Sequence, residues 1–492
     1  MSANVQIRRL ATGVPGLDSI LGGGLPEFSF NLIAGPAGSG KTTLAHQLMF
    51  AMATKERPAL FFTALGEPPM KMLRYQQQFA FFDSNRIDES IRYINLSDDI
   101  ATEDYEHVLT RITEEVRAVS PGLVFVDSFR SLMLEPSPPR RGIVSQQQFV
   151  QRLGIQLSGW QATTFLVGEY PLDSDPQPIF TVADGLLSLF QSVERNSLVR
   201  KIRVLKMRGQ ATCPGIHTFR ITTDGLEIFP SAPVNGDSGT MEVLGESLRN
   251  EARLAMGVPG LDEMMGGGLP SGYSLLVAGP SGSGKTIVAN AFLEEGVRRG
   301  EPGVLVAFEQ TPSQSRTRTM DKLVRAGKVG LINTRALDLS MDEVVQHLTR
   351  LIVRMKATRV VIDSLSGFEL ALAPTFREDF RESLFRMISV LSGLGVTVLM
   401  TSELEDRYVD LRFSPYGSAF LTDAILVQRY VEIDSCLKRV MSVVKVRGSA
   451  HSKELRQYEI TDEGMVIGGR VVDHEGILGG RPTRTLTPGK VA

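Results

Sequence analysis

The sequence predicts an α/β protein of two tandem three-layer domains, each with a β-sheet between two layers of helices. Three observations support this prediction. The sequence contains an internal duplication, apolar strands alternate with amphipathic helices, and each copy has a glycine-rich loop between a strand and a helix. The chain has 492 residues, which is too many for one ordinary hydrophobic core.

The internal duplication is clearest in a segment rich in glycine. TGVPGLDSILGGGLP at 12–26 returns as MGVPGLDEMMGGGLP at 256–270. LKMRGQ at 205–210 likewise matches VKVRGS at 444–449. The repeated unit is far longer than the repeat of a solenoid protein, so the pattern indicates a duplicated domain.

The domain limits follow from the duplication and from local composition. We place the first domain at 1–232 and the second at 251–474. Residues 233–250 between them are rich in turn-forming residues and predict a linker. Residues 475–492 are poor in apolar residues and predict a flexible tail.

The strand-like runs of both copies are apolar nearly throughout, as in LVFVD, TTFLVG, VVID and VTVLMTS. Such runs are typical of parallel strands that are covered on both faces. The stretches 144–159 and 378–393 carry apolar residues at helical spacing. Strand, helix and strand in this order predict a three-layer domain whose ligand binds at the carboxyl ends of the strands.

Each copy contains the pattern G-x-x-x-x-G-K-T, as GPAGSGKT at 35–42 and GPSGSGKT at 279–286. The glycines allow the backbone to turn successive N–H groups toward a phosphate, and the lysine reaches the β- and γ-phosphates. The helix that follows adds the positive end of its dipole. We therefore predict two P-loop NTPase domains, both binding nucleoside triphosphate. The residues expected to contact it are Gly35, Gly38, Ser39, Gly40, Lys41, Thr42 and Thr43 in the first copy, and Gly279, Gly282, Ser283, Gly284, Lys285, Thr286 and Ile287 in the second.

A magnesium site is predicted beside each loop. Thr42 and Thr286 offer a hydroxyl to Mg²⁺ at the start of a helix. Asp127 and Asp363 end apolar strands, where a carboxylate can hold the water shell of the metal. Alone, an aspartate at a strand end is usually a turn residue, but its position downstream of a phosphate loop favours the metal role.

The composition is that of a soluble globular protein in the cytoplasm. Apolar residues make up 42% and charged residues 22%, and the formal net charge of −2 gives no general attraction to nucleic acid or membrane. The sequence has neither a secretory signal nor an apolar run long enough to span a bilayer. Cys213 and Cys436 are far apart and lack the spacing of metal ligands.

Taken together, GVPGLD, the GGGLP segment, GPSGSGKT, the Asp-Ser strand end and the late K-x-R-G resemble the KaiC branch of the RecA-like ATPases. The resemblance runs through both copies, from about residue 8 to residue 470. It implies two RecA-like domains, ATP with Mg²⁺ as ligands, and six copies of the chain in a double ring with ATP between neighbours.

The resemblance also assigns a role to the K-x-R-G segments. In the family, these side chains reach the γ-phosphate that the neighbouring subunit holds. The matching residues are Lys206 and Arg208 in the first copy, and Lys445 and Arg447 in the second. A loose phosphoryl-transfer transition state gains from added positive charge, and an inserted arginine is worth about 10³–10⁵ in rate. A basic strand before a glycine turn is otherwise usually a solvated edge.

The general base that the resemblance implies differs between the copies. The family has two adjacent glutamates in an E-E-x-P segment. The first copy has Gly66 and Glu67 there, and the second has Glu309 and Gln310. Because glutamine cannot take a proton, we expect Glu309 to be the base of the second site and Glu67 to be the sole candidate in the first. The alternative for Glu67 and Glu309 is that each is only a charged residue near the start of a helix, without a catalytic role.

Autophosphorylation is placed in doubt by the second copy. Clock proteins of the family phosphorylate a Ser-Thr pair in the second domain, and alignment on a Thr-Asp pair puts Ala419 and Phe420 at those positions. Kinase chemistry would therefore need Ser414, Ser418 or Thr422 as the acceptor.

The leading functional hypothesis is an ATP-hydrolysing ring, formed by copies of this chain, that signals to partner proteins. One alternative is a serine/threonine kinase acting on itself or on a partner. Another is a recombinase-like DNA-dependent ATPase in which Arg140 and Arg141 contact phosphates, although the segment lacks aromatic residues for stacking bases. The acidic balance disfavours nucleic acid as a partner.

Overall fold

A computed structural model describes most of the chain. The chain divides into two compact units, Met1–Ser231 and Ala232–Ala492. The described residues are 7–63, 69–101, 105–127, 152–156, 159–170, 178–194, 197–231, 252–308, 318–333, 339–377, 380–404, 421–433, 435–472, 474–476 and 483–484. The predicted linker at 233–250 lies outside them, and the limits predicted for the domains stay predictions.

The first unit alternates strands and helices, as expected. Its strands are β1 Arg9–Leu10, β2 Leu25–Pro26, β3 Phe30–Ala34, β4 Ala59–Thr63, β5 Ile91–Asn95, β6 Leu123–Asp127, β7 Thr163–Gly168, β8 Gly185–Glu194, β9 Ser197–Met207, β10 His217–Thr222 and β11 Gly225–Phe229. Its helices are Leu17–Leu21, Lys41–Met52, Pro69–Gln76, Ser97–Ala101, Tyr105–Val119 and Pro178–Val182, with a 3₁₀ helix at Ser84–Arg86.

The second unit repeats this order. Its strands are β12 Arg253–Leu254, β13 Leu269–Pro270, β14 Ser274–Gly279, β15 Gly303–Ala307, β16 Val329–Asn333, β17 Arg359–Asp363, β18 Thr397–Glu403, β19 Ala424–Ile433, β20 Cys436–Val446, β21 Arg456–Thr461, β22 Gly464–Arg470, β23 His474–Glu475 and β24 Thr483–Arg484. Its helices are Leu261–Met264, Lys285–Arg298, Arg318–Arg325, Met341–Met355, Leu365–Ala371, Pro374–Arg377 and Phe380–Gly393.

Each unit is built on one nine-stranded mixed sheet. The strand order is β11-β10-β9-β8-β3-β7-β6-β4-β5 in the first unit and β16-β15-β17-β18-β14-β19-β20-β21-β22 in the second. Read from opposite edges, the two orders are the same. Strands β3 to β8 pair in parallel, and the strands from β9 onward pair antiparallel. The predicted fold class, two tandem α/β domains, is confirmed.

Helices cover both faces of each sheet, because the central strands carry apolar side chains on both faces. β6 is buried along its whole length, as is β17 in the second unit. Two hydrophobic clusters in each unit fill the space between sheet and helices. The predicted helix at 378–393 is present as Phe380–Gly393. The predicted helix at 144–159 lies largely outside the described residues, although residues 152–156 are helical.

Candidate active sites

Each phosphate loop joins a central strand to the helix that follows it. The first runs from β3 into the helix Lys41–Met52, and the second from β14 into the helix Lys285–Arg298. The two loops have nearly the same φ at their second glycines, 73° at Gly38 and 74° at Gly282. An alanine at Gly35 would place its Cβ 2.0 Å from the carbonyl oxygen of Leu189. Glycine is therefore required there by close backbone contact.

The loop lysines lie over their own loops. The ammonium of Lys41 donates to the Pro36 carbonyl at 2.8 Å, and that of Lys285 donates to the Gly279 and Pro280 carbonyls at 2.8 Å each. Burial lowers the pKa of both lysines. An anion bound in the loop would stabilise the charged form of each lysine, so the site is suited to a phosphate.

The predicted metal-binding residues come together in both units. The Thr286 hydroxyl donates to Asp363 Oδ2 at 2.9 Å, and the Thr42 hydroxyl donates to Asp127. Both aspartates are buried at the ends of their strands. A carboxylate beside a threonine hydroxyl, next to a phosphate loop, is a donor set of oxygen atoms that suits Mg²⁺.

The two metal sites are not identical. In the second unit, Thr401 on β18 also donates its hydroxyl to Asp363. In the first unit, Val167 takes the position of Thr401, because Val167 pairs with Ile33 on β3 as Thr401 pairs with Val277 on β14. Valine has no hydroxyl to donate to Asp127. Burial raises the pKa of Asp127, and this is opposed by the Thr42 hydrogen bond and by the positive charge of Lys41.

The K-x-R-G residues lie at the opposite end of the sheet from the loop of their own unit. Arg208 pairs with Asp184 at 3.1 Å, and Asp184 in turn accepts from the backbone N–H of Phe30, the first residue of β3. The loop begins after the last residue of β3, roughly 13 Å away at 3.3 Å per residue. Lys206 donates to the carbonyls of Phe180 and Thr181 at 3.1 Å each.

The second unit has the same arrangement. Arg447 pairs with Asp423 at 3.3 Å, and Asp423 accepts from the backbone N–H of Ser274, the first residue of β14. Lys445 donates to the Thr422 carbonyl at 2.6 Å. Burial lowers the pKa of Lys445, as does the neighbouring positive charge of Arg447, while Asp423 opposes the shift. The side chain of Arg447 is 52% exposed, so it is available at the surface.

Several predicted residues lie outside the part of the chain that the structure describes. These are the candidate bases Glu67 and Glu309, the channel arginines Arg140 and Arg141, and the positions Ser414, Ser418, Ala419 and Phe420. Of the alternative phosphate acceptors, Thr422 is described, and it is fully buried. In this conformation its side chain is a poor acceptor.

Two carboxylates beside the loops were missed by the sequence reasoning. Glu403 ends β18 and pairs in register with Gly279, and Glu169 follows β7 at the equivalent place. Their negative charges oppose the lowering of the pKa of Lys285 and Lys41 more strongly than the metal-site aspartates do. The internal repeat contained the signal, because TFLVGE and VLMTSE align with the glutamate at the same place.

None of the helices in the described ranges is both long enough and apolar enough to cross a membrane.

Comparison with known proteins gives a family match in both units. The family model for the KaiC ATPase matches residues 10–233 and again residues 254–471. The circadian clock oscillator protein KaiC of Picosynechococcus sp. is 29% identical over 496 residues, covering 97% of this chain and 93% of the relative. The circadian clock oscillator protein KaiC 1 of Synechocystis sp. is also 29% identical, over 97% of this chain and 92% of its own. The circadian clock oscillator protein KaiC of Thermostichus vulcanus is 28% identical, over 98% of this chain and 93% of the relative.

Proposed function

The chain belongs to the KaiC ATPase family, and from this premise we propose that it is a ring-forming signalling ATPase with two MgATP sites in each subunit. The observation that carries the proposal is the repeated constellation of phosphate loop, buried lysine, and threonine hydroxyl on a buried aspartate. A second relevant fact is that relatives 29% identical to this chain match it over 97% of its length.

The binding step follows from the residues of the loop. Its backbone N–H groups and the lysine ammonium take the phosphates, while Thr42 and Asp127, or Thr286 and Asp363, hold the metal ion and its water. A magnesium ion held by these residues would supply positive charge that offsets the negative charge of the phosphates. Adenine as the base is carried over from the family.

The distance between loop and K-x-R-G segment supports an arrangement in which neighbours complete each site. Arg208 and Arg447 lie at the far end of the sheet from their own loops and are half exposed. A neighbouring subunit that presents this end to a loop would place the arginine beside the γ-phosphate. We propose such a contact for both units, in a double ring of six subunits.

The hydrolytic step needs a carboxylate that orients water for attack on the γ-phosphorus. We assign this role to Glu309 in the second unit and to Glu67 in the first. The first copy has Gly66 at the first glutamate position of the family segment, the position that Glu309 takes in the second copy. We therefore propose that the first site turns over more slowly. Autokinase chemistry would be a separate activity of the second unit, and the experiment below distinguishes it.

The test is to incubate the protein with ATP labelled at the γ-phosphate and to follow free phosphate and protein-bound label together. Wild type is compared with Glu309→Gln, with Glu67→Gln and with the exposed control Glu263→Gln. We expect free phosphate without stable label. Glu309→Gln should lower the rate of ATP hydrolysis at the second site roughly a hundredfold, the effect expected from removing a general base.

Two results would contradict the proposal. Unchanged phosphate release from the Glu67→Gln, Glu309→Gln double variant would remove both carboxylates from the chemistry. Label retained on a serine or threonine would replace the hydrolytic role by a kinase role.

A further inference from the structure

A buried polar network ties the second phosphate loop to the sheet. The Ser283 hydroxyl donates to Gln428 Oε1 at 3.1 Å, and the Tyr458 hydroxyl donates to the Ser283 carbonyl at 2.6 Å. Ser283 and Gln428 are fully buried, and Tyr458 is 2% exposed. Gln428 is on β19 and Tyr458 is on β21, so two different strands of the sheet contact one residue of the loop.

The first phosphate loop has no such network among the residues that the structure describes. Register places Leu189 at the position of Gln428 and Phe219 at that of Tyr458, since Phe219 pairs with Arg200 as Tyr458 pairs with Arg439. The hydroxyl of Ser39 is fully buried and has no hydrogen-bond partner within the described ranges. Burying an unpaired hydroxyl costs free energy, whereas the paired hydroxyl of the second loop avoids that cost.

The two loops nevertheless have similar φ angles at their inner glycines. These angles are 73° at Gly38 and 74° at Gly282, and 99° at Gly40 and 96° at Gly284. At these glycines the copies therefore differ in what stabilises the loop and not in φ. A loop held in its binding shape before the ligand arrives gains affinity, because less ordering is left to the binding step.

We propose that Gln428 and Tyr458 are positioning residues that keep the second phosphate loop ready for nucleotide, whereas the first loop is ordered by the nucleotide itself. The inference rests on the proposed nucleotide function and adds a regulation to it. At limiting nucleotide the second site fills first. We expect it to bind roughly fivefold more tightly than the first, the effect of about one net buried hydrogen bond.

The experiment exchanges the network between the copies. One variant carries Gln428→Leu with Tyr458→Phe, and the reciprocal variant carries Leu189→Gln with Phe219→Tyr. Both changes in the first variant are close in shape to the native side chains, so folding is expected to persist, and thermal unfolding checks it. Each variant is made in a chain whose other site is silenced, by Lys41→Ala or by Lys285→Ala.

Three measurements are made: binding of MgADP, hydrogen exchange of residues 280–284 or 36–40 without nucleotide, and steady-state KM with kcat. We expect the first variant to weaken MgADP binding and raise KM roughly fivefold, with faster exchange and with kcat unchanged. The reciprocal variant should tighten MgADP binding at the first site. A merely structural role would lower stability and kcat together.

Unchanged binding and unchanged exchange in both variants would overturn the inference while leaving the proposed function intact. Failure of the wild-type chain to bind MgADP at either site would instead overturn the proposed function. The two failures are therefore distinguishable in one set of samples.

Discussion

His46 is a titratable residue in the core of the first unit. It is fully buried, its Nδ1–H donates to the Thr42 carbonyl at 2.8 Å, and its ring stacks on Phe61 with centroids 4.5 Å apart. The ring of Tyr93 lies 6.1 Å from the imidazole and 5.3 Å from the ring of Phe61. Burial lowers the pKa of His46 to about 4. The corresponding residue of the second unit is Asn290, which does not titrate.

This pKa predicts an acid sensitivity of the first unit. Unfolded His46 gains its proton near its ordinary pKa of 6.5, whereas the folded form stays neutral down to about pH 4. The contribution of neutral His46 to the unfolding free energy is therefore complete above pH 6.5 and is lost as the pH falls from 6.5 toward 4. Between pH 7 and pH 5 we expect a loss of about 2 kcal/mol of unfolding free energy.

The measurement is urea unfolding at several pH values, monitored by hydrogen exchange of peptides from the helix Lys41–Met52. His46→Asn, which copies the second unit, should remove most of the pH dependence. His217, whose pKa burial also lowers, contributes in the same direction. An equal pH dependence in the variant and the wild type would show that His46 is not its source.

Thr401 gives a second prediction at this scale. Its hydroxyl donates to the metal-site carboxylate of Asp363, and Val167 replaces it in the first unit. Thr401→Val should therefore raise the Mg²⁺ concentration needed for half-maximal nucleotide binding at the second site by roughly tenfold, since hydrogen bonds to charged groups are worth about 1.5–3 kcal/mol.

The matched change is Val167→Thr in the first unit. A new hydroxyl beside Asp127 should lower the raised pKa of this carboxyl, so Mg²⁺-dependent binding should persist to a lower pH. Both variants are measured with a fluorescent nucleotide while the other site is silenced. If the Mg²⁺ midpoint does not move in Thr401→Val, the hydroxyl has no part in holding the metal ligand.

At the scale of elements, the phosphate loop depends on close backbone contact. Gly35→Ala should abolish nucleotide binding at the first site, because its Cβ would lie 2.0 Å from the Leu189 carbonyl oxygen on β8. Gly38→Ala, in the same loop, has open space for its Cβ and has only the positive φ against it. We expect the left-handed backbone at this position to cost Gly38→Ala about 1–2 kcal/mol of unfolding free energy. Equal binding losses in both variants would mean that strain, and not the contact with β8, decides this position.

Much of the fold was predictable because local patterns determine it. Apolar runs and the strand-loop-helix motif identify β3, β6, β7 and their counterparts, and the duplication checks each assignment twice. The antiparallel half of the sheet was not predicted in direction. In β9 only Ser197, Val199 and Ile202 are buried, and these positions do not form a regular alternation. The local pattern therefore does not determine its antiparallel pairing with β8, which is set by tertiary contacts.

The residues of the site that lie within short motifs were predicted, and the contacts between distant residues were not. Loop, lysine and metal residues lie within motifs, but the contacts of Arg208 and Ser283 join residues far apart in the chain. Arg208 meets Asp184 across the β8–β9 hairpin, and Ser283 meets Gln428 across 145 positions. A pattern such as K-x-R-G identifies these residues but does not say which end of the sheet they occupy.

For the whole molecule, the separation of loop and arginine predicts complementation between defective chains. One chain carries Glu67→Gln with Glu309→Gln, and the other carries Arg208→Ala with Arg447→Ala. Each alone should be inactive. Mixed before assembly with MgATP, they should recover about a quarter of wild-type phosphate release, because a random ring places an intact glutamate opposite an intact arginine at about one interface in four.

Wild type diluted with each inactive chain is the control for assembly. Absence of any recovery, with light scattering showing mixed assemblies, would mean that each chain supplies its own arginine. Activity of the arginine variant alone would remove Arg208 and Arg447 from the mechanism.

The placement of loop and arginine at opposite ends of one sheet gives any assembly a direction. The surface that offers the arginine differs from the surface that receives it, so two chains joined in this way still leave one loop and one arginine of each unit unused. A linear stack leaves the same two vacancies at its ends, however long it grows. Closure is therefore the only finite arrangement in which no nucleotide is left half enclosed. A single inserted chain that lacks Arg208 would leave one defective first-unit site at a known place in the ring.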